Sequence, residues 1–91
     1  MKLCSEADIE RVRRMELAFD QALCALKRGK RDVSLSENIR MLEDYVSSGQ
    51  WLGDYEMDER GCFPEELKRG VLSQDALYDL LRRNDKEGET I

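Results

Sequence analysis

The chain has 91 residues, a formal net charge of −5, 41% hydrophobic and 38% charged side chains, three cysteines and no histidine. That length carries one small core, because two would each be too small to fold alone. The missing histidine removes Cys–His catalysis, and Cys4, Cys24 and Cys62 lie too far apart in sequence to read as a zinc site without it.

The opening MKLCSEADIERVRR becomes charged after four residues, unlike the apolar core of a secretory signal. Ser5 with Asp8 reads as a capping box that starts the first helix. Ile9, Val12, Met15, Phe19, Ala22, Leu23 and Leu26 then recur at helical spacing, with 12, 15, 19, 22 and 26 forming a continuous seam. Glu10 and Arg14 stand one turn apart, acid first, as a surface pair. Gly29 ends a helix of about 23 residues, roughly 35 Å long. The cationic run Lys27, Arg28, Lys30, Arg31 reads as a solvated helix end that complements the macrodipole.

The short polar link GKRDVS predicts an antiparallel return. Ser34 with Glu37 is a second capping box, and Leu35, Ile39, Leu42 and Val46 make the second seam, flanked by Met41 and Tyr45. Ser47–Ser48–Gly49 ends this helix. A two-helix hairpin leaves one side of its seam open, and Trp51 has the area to plug it. An acidic loop follows. Pro64 then reads as the first residue of a short third helix, with Glu65 and Glu66 at its positive end, Lys68 and Arg69 at its negative end, and Gly70 as its stop. Ser73 caps a fourth helix, Leu72 and Leu77 form a hydrophobic staple across the cap, and Leu77, Leu80 and Leu81 give the buried face. The prediction is an all-α fold, a long antiparallel helical hairpin closed by two short C-terminal helices. It comprises one domain over residues 1–84 and a frayed polar tail over 85–91.

Charge is unevenly spread along this frame. Residues 1–33 hold eight basic and six acidic side chains, residues 34–66 two and nine, and residues 67–91 five of each. A basic surface for nucleic acid is therefore absent, and direct nucleic-acid binding is not expected. Asp54, Glu56, Asp58 and Glu65 match positions one, three, five and twelve of a calcium-binding EF-hand loop. The match fails at position six, where Glu59 stands for the glycine that permits the turn, so these four are weak metal candidates beside the reading of a solvated acidic loop. Neither a nucleophile paired with a base nor a phosphate-binding glycine loop is present, so no enzyme activity and no cofactor are expected. No apolar run approaches the ~20 residues of a membrane span. The cysteines read as reduced cytoplasmic thiols, with Cys24 partly buried on its helix and Cys62 blunted by four upstream acids.

One stretch is more specific. The segments WLGDYEMDERG, FPEELKRGVLS and QDALYDLL closely resemble the small bacterial family called domain of unknown function 4298. The likeness rests on Trp51, Leu52, Asp54, Tyr55, Glu56, Asp58, Glu59 and Gly61, then Pro64 and Leu67 to Ser73, then Asp75, Leu77 and Tyr78. It spans about residues 9–83, and the link at Gly29 to Val33 looks shorter than the family's. The resemblance implies a bacterial, cytoplasmic helical domain and brings no activity with it.

The favoured reading is a non-enzymatic module that binds a protein partner through Trp51, Tyr55, Lys68, Arg69 and Tyr78, since aromatics and arginine anchor interfaces. Set against it, the same side chains could complete the core and cap a helix. An alternative function is an acidic inhibitor, of the kind phages encode, that fills a partner's nucleic-acid groove. A calcium-responsive module is the third. Homodimerisation through the long first helix is compatible with all three.

Overall fold

The computed structural model describes residues 5–88, with side chains described as far as Arg83. Cys4 and residues 89–91 lie outside the described residues. The architecture is all-α, with helices α1 (Glu6–Arg28), α2 (Val33–Ser47), α3 (Gln50–Glu59) and α4 (Gln74–Gly88), and a single 3₁₀ turn at Gly70–Leu72 before α4.

Helix α1 begins as its sequence dictates. The Ser5 hydroxyl accepts the Asp8 N–H at 3.2 Å, and the Asp8 carboxylate accepts the Ser5 N–H at 3.0 Å. Gly29 ends it in the left-handed conformation, φ 69°, which a residue with a Cβ adopts only at a cost. Val12, Phe19, Ala22 and Leu26 are buried against α2 and the C-terminal elements, while Met15 is half-buried. Cys24 is exposed rather than partly buried, because it lies on the side of α1 turned away from the seam. The surface pair that forms is Glu10–Arg13 at 3.3 Å rather than Glu10–Arg14.

Helix α2 starts earlier than its second capping box suggests. Asp32, in extended conformation, caps it by accepting the Leu35 N–H at 3.0 Å, which puts Ser34 inside the first turn. Aspartate and serine cap about equally well, so the first one that the link presents decides. Leu35, Ile39 and Leu42 are buried as predicted. In the last turn Tyr45 takes the core position and Val46 is left half-buried.

The largest departure is at residues 50–59, where the predicted acidic loop is helix α3. Its inward stripe runs through Trp51, Asp54, Tyr55 and Asp58, a helical spacing whose second member is a buried acid. Hydropathy alone misses such a stripe. Gly61, φ 74°, ends α3: its N–H reaches the Asp58 carbonyl at 2.9 Å, and the Cys62 N–H reaches that of Met57 at 3.0 Å, a Schellman closure.

Pro64 does not open a helix. Residues 60–69 form an irregular connection with one turn, in which the Leu67 N–H meets the Pro64 carbonyl at 3.1 Å. Phe63 and Leu67 both enter the core. Arg69 donates to the carbonyls of Phe63 and Pro64 at 3.3 and 3.1 Å. A segment this short does not repay helix nucleation when other contacts already hold its ends.

The start of α4 is as predicted. The Ser73 hydroxyl accepts the Ala76 N–H at 3.4 Å, Leu72 and Leu77 are both buried on either side of the cap, and Leu80 lines the same face. The helix backbone continues to Gly88, so it takes in residues 85–88 of the predicted tail. The assembly is elongated, 52 × 19 × 18 Å, with the 3₁₀ turn touching α1, α3 and α4.

Candidate functional site

Asp54 sits at the centre of a charged knot that joins three helices. It is 1% exposed. Arg11 of α1 grips it side-on, with Nε to Oδ2 at 2.9 Å and Nη2 to Oδ1 at 2.6 Å. The Tyr45 hydroxyl of α2 donates to Oδ2 at 2.6 Å. Arg11 Nη2 also reaches Asp8 Oδ1 at 2.7 Å. Burial pushes the Tyr45 phenol far above its ordinary range, and the bond to the Asp54 carboxylate adds to this. The hydrogen bond to Asp54 holds the Arg11 guanidinium protonated more firmly still. Asp8 is held below the usual carboxylate range, first by the Ser5 N–H and next by Arg11. Both carboxylate oxygens of Asp54 are engaged, Oδ1 by Arg11 and Oδ2 by Arg11 and Tyr45.

A second polar contact lies at the 3₁₀ turn. The buried Glu16 carboxylate accepts the Val71 N–H at 2.7 Å, while the Val71 carbonyl accepts the Trp51 indole N–H at 2.9 Å. One residue of the 3₁₀ turn, through its N–H and its carbonyl, thus ties α1 to α3. The carboxylate passes so close to Gly70 that a Cβ there would lie 3.2 Å from Glu16 Oε2.

These contacts decide where the predicted site residues fall. Asp54 and Asp58 share the inward side of α3, Glu56 points to solvent, and Glu65 is exposed on the connection beyond it. Asp58 pairs with Arg69 at 3.3 Å. The four acids do not converge, and among the described residues no three Cys, Asp or Glu side chains are placed to hold a metal ion. Trp51 is buried, stacked on Tyr55 at 5.1 Å between ring centres and tilted against Tyr78 at 5.8 Å. Tyr55 is half-buried and Tyr78 is 38% exposed. Arg69 is committed to Asp58 and to two carbonyls of the connection. Lys68 alone of the five predicted partner residues is a freely exposed charge, and it lies apart from the aromatic cluster.

Lys68 instead stands on the rim of an open groove of ≈ 690 Å³ between α1 and residues 64–68. Ile9, Leu17, Pro64 and Leu67 supply its apolar lining, and Arg13, Lys68 and Glu66 are among its charged edges. Leu17 is 58% exposed in the middle of this face. Leu17 falls outside the α1 seam, so helical periodicity does not mark it. That same displacement, an apolar residue opposite the buried stripe, was the available signal.

The sequence profile of the family described as "Domain of unknown function (DUF4298)" matches residues 12–89. The chain belongs to this family. No curated protein and no solved structure matches the chain. The residues that carried the resemblance lie, in this DUF4298 domain, largely on internal contacts. Trp51 and Val71 share a hydrogen bond, Asp54 centres the knot, Gly61 closes α3, Arg69 holds the connection, and Leu72, Ser73 and Leu77 start α4. Among the described residues, no helix is long and apolar enough to cross a membrane.

Proposed function

We propose that this DUF4298 domain is a non-enzymatic protein-interaction module of a bacterial cytoplasmic protein, docking through the groove between α1 and residues 64–68. The observation that carries this reading is Leu17, a large apolar side chain 58% exposed over an apolar lining with charged edges. That combination of a hydrophobic centre and a polar rim is the usual anatomy of a docking surface. It retains Lys68 from the predicted partner set and releases Trp51 and Arg69 to the fold. The acidic-inhibitor reading draws less support, since Asp54 and Asp58 are neutralised internally by Arg11 and Arg69.

The test is affinity capture from the native host with Leu17→Glu beside wild type. Glutamate keeps the helix propensity of leucine. The expected result is loss of the Leu17-dependent partner with helicity and thermal midpoint unchanged. Undiminished capture by the folded variant contradicts the reading.

A further inference from the structure

We infer that the occupant of the α1 groove is a second copy of this chain, docked antiparallel about a two-fold axis through Leu17. This rests on the docking reading above and names the partner. The inference comes from the order of charges on the outer side of α1, where Glu6, Arg14, Leu17, Asp20 and Arg28 are aligned at helical spacing and all exposed. A two-fold axis at Leu17 sets residues equally far before and after it opposite one another. Leu17 then meets Leu17, Arg14 meets Asp20 of the second copy, and Glu6 meets its Arg28. Each unlike pair occurs twice, as an isologous contact requires.

The same five residues exclude the competing arrangement. A parallel pair would set Arg14 against Arg14 and Asp20 against Asp20, like charges at close range. Within the chain, Glu6, Arg14, Asp20 and Arg28 have no ion-pair partner among the described residues, so they are available across the axis. Leu17 provides the dry centre and the Ile9–Pro64–Leu67 lining receives the neighbouring helix. A small helical core gains from such association, because a core of this size supplies little net stability by itself.

Sedimentation equilibrium of the full chain tests this with four proteins: wild type, Arg14→Asp, Asp20→Arg and the double exchange. Wild type is expected to dimerise. Each single reversal sets two like pairs across the axis and weakens the dimer about tenfold or more. The double exchange restores the unlike pairs and the wild-type dimer. A dimer that responds to neither reversal, or that the double exchange leaves weakened, overturns the arrangement. A wild type that stays monomeric also overturns it. In that case Leu17-dependent capture of another protein leaves the docking reading standing, whereas its absence removes both.

Discussion

Asp54 shows how one buried carboxylate can do the work of several apolar contacts. Arg11, Tyr45 and Asp54 come from three helices, and removing the carboxylate leaves the guanidinium without its main partner. Fully buried pairs broken in this way lose ~3–5 kcal/mol. The Arg11 side chain keeps 21% of its surface in water, so the loss for Asp54→Asn is expected nearer to about 2–3 kcal/mol. Tyr45→Phe removes one hydrogen bond while Arg11 stays in place, and about 1–2 kcal/mol is expected. Urea titration of both variants checks the order, and a Tyr45→Phe loss equal to that of Asp54→Asn contradicts it.

Tyr45 also sets a pH dependence. Its phenol is raised in the folded chain, so the unfolded chain loses the proton first, near the ordinary value of about 10. The contribution is whole below that pH and declines as pH rises above it. Tyr45→Phe is expected to flatten the fall of the urea midpoint above about pH 10. A wild-type-like decline in the variant contradicts this assignment. Asp54 was singled out in the sequence for its charge, yet its role was hidden there. An acid between Tyr55 and Trp51 reads as solvent-facing until Arg11, forty-three residues earlier, is known to reach it.

At the scale of elements, the starts of α1 and α4 were legible from a cap and its partner within one turn, while α2 takes Asp32 rather than Ser34 as its cap. Ser5 with Asp8 and Leu72–Ser73–Leu77 stand out because both ends of each device lie in the same short stretch. The third helix was misplaced for the opposite reason. Pro64, two glutamates and a basic pair imitate a helix, but Phe63, Leu67 and Arg69 are spent on distant packing and on carbonyls. Residues 50–59 form a helix because a remote arginine and a remote tyrosine satisfy the acid on its inner side. The 3₁₀ turn carries the matching prediction. Glu16→Ala strands the buried Val71 N–H and is expected to cost about 1–3 kcal/mol. Glu16→Gln keeps an acceptor and is expected to recover most of that. Equal losses in the two variants, measured by chemical denaturation, contradict the backbone contact as the source.

The whole molecule separates its conspicuous residues into two groups. The motif that marks the family, from Trp51 to Tyr78, largely closes the hairpin, holding the fold through Asp54, Val71 and Leu77. The outer side of α1, with a generic helical sequence, keeps an exposed leucine over an apolar groove and charges that oppose one another about it. The fold class was legible because two long seams dominate the chain. The proposed docking surface was not, since a single exposed leucine acquires meaning only when residues 64–68 are known to lie beside it.

The most direct measurement is a concentration series of methyl NMR spectra of the full chain, on the order of 10 μM to 1 mM. The Leu17 methyl signals are expected to move with concentration, while those of Leu52, exposed on α3, and Leu77, in the core, stay fixed. Invariant Leu17 signals, or shifts confined to residues around Trp51 and Tyr78, would contradict self-association at Leu17.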